Sequence, residues 1–147
     1  MSKGHLVVPK AADSEALPLP VLSFNKGEGP RLLITAGCHG NELEGPIVAR
    51  RLLDWLPRAQ ECGRVIIVPV LNPPALKAWS RNSPVDGLNL NRVFPGRADG
   101  SISERIADAV SRVLCQGSTQ CLICTALDRG GNLLQQARRI LSRMLIS

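Results

Sequence analysis

The sequence of 147 residues contains few aromatic side chains, with no tyrosine, and only two histidines. The formal net charge is +6, yet no run of lysines and arginines occurs. Proteins that bind single-stranded nucleic acid combine a basic groove with stacking aromatic rings, so we expect no nucleic-acid partner. No apolar run approaches the roughly 20 residues that cross a membrane, and the first residues lack the apolar core of a signal peptide. These absences predict a cytoplasmic protein without a membrane partner.

Cysteine usage and length limit the fold further. Five cysteines are an odd number without a secretion signal, which indicates free thiols. A hydrophobic content of 44% in a chain of this length is sufficient for one core. We therefore predict a single domain, residues 1–147.

The turn at residues 37–42 places an imidazole and a carboxylate three positions apart, as His39 and Glu42, directly after an apolar strand. Glycines on both sides of His39 allow a sharp turn. Zinc accepts both ligand types, and a catalytic zinc site has three protein ligands. The turn therefore supplies two of the three. Cys38 beside it is either a reactive thiolate or a small space-filling residue.

The segment at residues 81–96 is rich in turn-forming residues and also carries arginines, asparagines and Asp86. Such loops expose side chains for recognition, and guanidinium groups pair with carboxylates. We interpret it as a binding loop in which Asp86 orders the backbone.

Together with the strand and turn at residues 65–73, these two segments resemble, in their order, the succinylglutamate desuccinylase and aspartoacylase family over roughly residues 18–114. The resemblance implies an α/β fold, a zinc-carboxypeptidase-like mixed sheet with flanking helices, and hydrolysis of the amide of a small-molecule N-acyl amino acid with one Zn2+. By position, His39 and Glu42 match metal ligands, and Arg81 matches an arginine that polarises the scissile carbonyl. Asn91 and Arg92 match the pair that holds the substrate carboxylate.

Residues 115–147 depart from the family and form a divergent tail of doubtful fold. The family's third ligand is a histidine in an Asp-Leu-His segment, and its general base is a glutamate further along; residues 121–131 contain no histidine. The codons of Leu122–Thr125 can encode Asp-Leu-His in another reading frame, which suggests a frameshift between about residues 114 and 121. We thus expect a truncated chain of little or no activity that self-associates through an unpaired sheet edge.

Two other classes of function remain open. One is an active metallohydrolase with an unusual third ligand, drawn from His5, Cys121, Cys124 or a partner chain. The other is a non-catalytic carboxylate-binding module that uses the loop without metal.

Periodicity predicts strands at 19–24 and 31–36 joined by a hairpin-like turn, a helix at 43–56, a strand at 64–71 and a helix at about 101–114. Ser101 and Glu104 form a capping-box pattern at the start of the last helix. In the tail, residues 121–126 suggest a strand and 133–145 a helix. The predicted inward residues of the two main helices are Ile47, Leu52, Leu53 and Leu56, and Ile106, Ala107, Val110 and Val113.

Overall fold

Five strands and three helices make up the described part of the computed structural model, which comprises residues 1–10, 15–29, 31–58, 63–116 and 120–124. The strands are β1 (Ser2–Val8), β2 (Leu17–Lys26), β3 (Arg31–Ala36), β4 (Gly63–Val68) and β5 (Gln120–Cys124). The helices are α1 (Glu44–Trp55), α2 (Pro73–Lys77) and α3 (Ile102–Ala109), which continues as a π-helix over Val110–Cys115. Short 3-10 turns occupy Leu56–Arg58 and Leu90–Arg92. β1 and α2 were not predicted, and the tail helix predicted at 133–145 lies outside the described residues.

The strands form one mixed sheet in the order β1-β2-β4-β3-β5. β1 pairs with β2 and β2 with β4 in antiparallel fashion, whereas β3 pairs in parallel with both β4 and β5. The predicted α/β class with a mixed sheet is confirmed. The prediction of a hairpin between the strands at 19–24 and 31–36 is wrong, because β4 lies between β2 and β3 in the sheet. The apolar β4 segment Val65–Val68 is buried throughout, which favours a central position in a sheet covered on both faces.

Helix α1 connects β3 to β4, so the predicted strand, helix and strand crossover is confirmed. Val48, Leu52 and Leu56 recur at intervals of four residues and are buried against the sheet. Ile47 was predicted to face inward, but its side chain is 52% exposed. It lies about 100° around the helix from Val48, outside the buried stripe.

Helix α3 begins as predicted, with the Ser101 hydroxyl accepting from the Glu104 amide and the Glu104 carboxylate accepting from the Ser101 amide. Its end differs from the prediction. Val113 is 60% exposed, whereas Leu114 is buried. A π-helix has wider turns than an α-helix, so Leu114 takes the inward position that ordinary helical spacing assigns to Val113.

Apolar cores cover both faces of the sheet, with α3 on one face and α1 on the other. The carboxyl ends of β3, β4 and β5 point to the same edge, which is where open α/β sheets place their sites. The candidate site therefore lies at this edge, just after Ala36 at the end of β3 and Val68 at the end of β4.

None of the helices in the described ranges is long and apolar enough to cross a membrane.

Candidate metal and carboxylate site

Two close backbone approaches hold the turn that carries His39. Gly37 has φ +65°, and a Cβ there would lie 3.2 Å from the Pro69 carbonyl oxygen. At Gly40 a Cβ would lie 1.9 Å from the Ala75 carbonyl oxygen in α2, and the Gly40 amide donates to the Ser80 carbonyl at 2.8 Å. The turn is thus fixed between the end of β4 and α2, and only glycine fits at Gly40.

Helix α2 is itself placed by a polar anchor. Asn72 is fully buried; its side-chain oxygen accepts from the Ala75 amide at 3.2 Å, and its side-chain nitrogen donates to the Cys38 carbonyl at 3.3 Å. The side chain therefore caps α2 and ties it to the residue before His39.

His39 and Glu42, the two predicted metal ligands, converge. His39 is 2% exposed, and its Nδ1 donates to Glu42 Oε2 across 2.9 Å. Two ligands on a tetrahedral zinc ion, each at about 2.0–2.2 Å, are roughly 3.3 Å apart. The nitrogen and oxygen donors therefore fit a shared metal after a small separation of the two side chains.

Arg81 also reaches Glu42, because its guanidinium donates to Oε1 at 2.6 Å. The arginine side chain is 54% exposed and the glutamate 20%. The arginine predicted to act on the substrate carbonyl is thus held beside the predicted metal ligand.

Asn89 also contacts the candidate site, although no sequence pattern predicted it. Its side-chain oxygen lies 3.1 Å from His39 Nε2 and also accepts from the Asn91 amide at 3.0 Å. Residues that bind the second nitrogen of a metal-ligating histidine fix its tautomer and ring orientation. No spacing rule could have found this contact, because 50 residues separate the partners.

The predicted carboxylate-binding pair, Asn91 and Arg92, lies just after Asn89 in the sequence. Asn91 and Arg92 lie in the 3-10 turn Leu90–Arg92, which is anchored by the fully buried Leu90. Asn91 is half-buried and Arg92 is exposed. Because Asn89 contacts both His39 and the Asn91 backbone, the structure brings this turn to the edge of the candidate metal site.

Asp86 anchors the loop to α3, in agreement with its predicted role. Its carboxylate accepts from the Ser103 amide at 2.8 Å, the Ser103 hydroxyl at 3.0 Å and the Leu88 amide at 3.1 Å. Burial acts to raise the pKa of Asp86, but hydrogen bonds from Ser103, Ser101 and Leu88 outweigh it and hold that pKa below its ordinary value. The loop that carries Arg81, Asn89 and Arg92 is therefore attached to the helix by an ionised side chain.

Cys38 is buried, and burial together with the charge of Glu42 raises the pKa of its thiol to about 11, against a smaller opposing effect of Arg81. The thiol is protonated at neutral pH. Of the two alternatives for Cys38, the structure supports the space-filling residue, since a reactive cysteine requires a lowered pKa.

Within the described ranges, no group of three or more histidine, cysteine, aspartate or glutamate side chains could hold a metal ion. His5 lies on β1, and the strands β2 and β4 separate it from β3, a lateral distance of roughly 14 Å at ordinary strand spacing. It is therefore not placed to complete the site. Cys124 is the last residue of β5 and pairs with Ala36, so its backbone lies at the same edge as the turn.

The fold and site define a mixed α/β domain with a candidate metal and carboxylate site at the carboxyl ends of parallel strands. The chain belongs to the succinylglutamate desuccinylase/aspartoacylase catalytic domain family, whose model matches residues 28–121. This match ends close to the position at which the sequence departs from the family pattern.

Three relatives illustrate the similarity. The N-alpha-acetyl-L-2,4-diaminobutyric acid deacetylase of Halomonas elongata is 47% identical over 114 residues, 76% of this chain and 33% of that protein. The crystal structure of an aspartoacylase family protein from Mesorhizobium loti has 68% identity and a TM-score of 0.81, with 84% of this chain and 40% of that chain covered. The product-bound ectoine utilization protein EutE (DoeB) of Ruegeria pomeroyi has 38% identity and a TM-score of 0.70, with coverage of 82% and 39%.

This chain therefore spans about a third of the length of the curated relative and about two fifths of the solved chains.

Proposed function

We propose that this chain carries the metal-binding turn and the carboxylate-binding loop of a zinc-dependent hydrolase that removes the acyl group from N-acyl amino acids. The observation that carries the proposal is the convergence of His39 Nδ1 and Glu42 Oε2 at 2.9 Å beside Arg81. The name of the Halomonas relative suggests a short acyl group on a diamino acid as the substrate.

Each residue has a defined task in this proposal. His39 and Glu42 would hold the zinc ion, which supplies Lewis acidity and lowers the pKa of bound water. Arg81 donates hydrogen bonds to the acyl carbonyl oxygen as negative charge develops there. Asn91 and Arg92 bind the amino-acid carboxylate and thereby orient the amide. Asn89 holds the His39 ring.

We further propose that this chain alone binds zinc weakly and hydrolyses substrate slowly or not at all. The described residues supply two ligands, and the resemblance places the family's general-base glutamate further along the sequence than these residues extend. The frameshift remains a prediction for residues beyond Leu114. Sequencing the coding DNA across codons 114–125 tests it, and the absence of Asp-Leu-His from every reading frame would contradict it.

Zinc binding and hydrolysis should be measured separately. We expect zinc titration of the purified chain to detect a site that is lost in His39→Ala and retained in the control His5→Ala. Hydrolysis of N-acetyl-diaminobutyrate should be far below an ordinary enzymatic rate of about 10 per second. Zinc binding that is unaffected by His39→Ala would refute the ligand assignment, and full activity would refute the proposed deficiency.

A carboxylate-binding module is the second candidate, since one loop presents Arg81, Asn91 and Arg92 and is anchored through Asp86. Calorimetry with an N-acyl amino acid in the presence of a chelator distinguishes it from the first. Heat that disappears in Arg92→Gln would favour binding without metal, and the absence of heat at millimolar ligand would exclude it.

Self-association through a sheet edge remains a prediction. β5 is the last strand of the sheet among the described residues, and exposed edges can pair with another chain. Sedimentation measurements over a range of concentrations would test it, and a monomer at all concentrations would contradict it.

A further inference from the structure

Glu42 is shared between two functional groups. Its Oε2 contacts Nδ1 of the other predicted metal ligand, His39, whereas its Oε1 accepts from Arg81. The carboxylate is four-fifths buried, and the Arg81 side chain is about half exposed. One acidic side chain therefore serves both the candidate metal site and the arginine assigned to the substrate carbonyl.

A guanidinium and a divalent cation are both positive, so they repel each other when both bind the same carboxylate, and each weakens the binding of the other. A cation held by Glu42 would lie within a few ångströms of the Arg81 guanidinium, since the arginine nitrogen is 2.6 Å from Oε1. The half-exposed arginine can move towards solvent, whereas the buried His39 and the constrained turn cannot. We therefore expect Arg81, and not His39, to move away when a cation binds Glu42.

We propose that Arg81 and the metal compete for Glu42, so that metal binding releases Arg81 towards the substrate. This inference rests on the proposed function and adds an order of events to it. The arginine stays paired with Glu42 until a divalent cation takes over that carboxylate, and its guanidinium is then released to turn towards an acyl carbonyl. A chain without metal thus keeps its carbonyl-binding arginine withdrawn.

Zinc affinity of charge variants tests the competition without any measurement of activity. Arg81→Gln keeps a hydrogen-bond donor but removes the charge, and should tighten zinc binding about fivefold, the factor that corresponds to an ion pair of this exposure. Arg81→Lys keeps the charge and should bind zinc like the unaltered chain. Arg50→Gln makes the same charge change at the exposed Arg50–Asp54 pair and should leave zinc affinity unchanged.

The outcomes separate this inference from the function on which it rests. Zinc binding that depends on His39 but is equal or weaker in Arg81→Gln would overturn the competition and leave the metal site standing. Equal tightening in Arg81→Gln and Arg81→Lys would overturn it too, because charge would not be the cause. Failure of the unaltered chain to bind zinc would overturn the proposed function and the inference together.

A second measurement reports on Arg81 itself in the unaltered chain. Arginine-directed dicarbonyl labelling, read at single residues by peptide mass spectrometry, should increase at Arg81 relative to Arg50 when zinc is added. Glu42→Gln should show the high labelling without zinc. Labelling at Arg81 that falls or stays constant with zinc would contradict its release.

Discussion

Replacing Gly40 with alanine tests how closely the turn that carries His39 must approach helix α2. The added Cβ would lie 1.9 Å from the carbonyl oxygen of Ala75 and 2.1 Å from its carbon, where real contacts are not closer than 3.0 Å. Both atoms belong to the backbone, so no side-chain rotation relieves the overlap. Either the turn or the helix has to move by about 1 Å.

The cost can be worked out from the contacts that this movement disturbs. Forcing an extra carbon into a packed site costs about 1–3 kcal/mol. The Gly40 amide also donates to the Ser80 carbonyl at 2.8 Å, and loss of such a bond costs about 1 kcal/mol. We therefore expect Gly40→Ala to lower the free energy of unfolding by about 2–4 kcal/mol, or Tm by roughly 5–15 °C for a domain of this size.

Urea denaturation followed by far-UV circular dichroism measures this free energy. Gly4→Ala is the matched control, because a Cβ at Gly4 meets nothing within 4 Å, and it should be neutral. Zinc binding should also weaken in Gly40→Ala, since the movement displaces His39. A Gly40→Ala protein within about 0.5 kcal/mol of the unaltered chain, the usual range for harmless surface changes, would refute the reasoning.

Three further predictions follow from the site and the core. Asn89→Ala should weaken zinc binding about tenfold or more, the usual effect of losing a partner of a ligating histidine; competition with a chromophoric chelator measures it, and Asn82→Ala is the control. The folded-state pKa of Asp86 is lowered, so its contribution to stability is present above its unfolded pKa near 3.9 and is lost as the pH falls through the folded value. Denaturation between pH 6 and about 2.5 should therefore show a loss that is smaller in Asp86→Asn, and identical pH profiles would contradict it. Leu52→Ala should cost about 2–5 kcal/mol in urea denaturation because Leu52 is fully buried, whereas Ile47→Ala should cost less than about 0.5 kcal/mol; equal losses would contradict the observed helix face.

The sequence predicted the elements that follow from local rules. The β3 bounds, the crossover through α1 and the capping box at Ser101 all depend on periodicity or on residues within one turn of each other. Strand order was not accessible in this way. The place of β4 between β2 and β3 depends on which apolar strand is buried on both faces, and that is a property of the whole sheet.

The same difference between local and long-range contacts applies to the residues of the candidate site. His39 and Glu42 are three residues apart, so a turn after a strand was enough to predict that they could meet. Asn89 reaches His39 only because Gly40, α2 and the Asp86 anchor bring the loop across to the turn. The Arg81–Glu42 pair likewise joins separate segments. Sequence patterns thus identified candidate residues, whereas their couplings required the tertiary structure.

The position of β4 in the sheet also constrains the route by which the chain folds. During synthesis, the antiparallel β1–β2 pair can form early, but β3 emerges before either of its neighbours, β4 and β5. Its register with β5 joins Leu32 to Gln120, and such distant pairings make folding slow. Until both neighbouring strands have been synthesised, the apolar β3 segment has unpaired edges and can aggregate with other chains. Nascent chains halted between β3 and β4 should consequently depend most on chaperones.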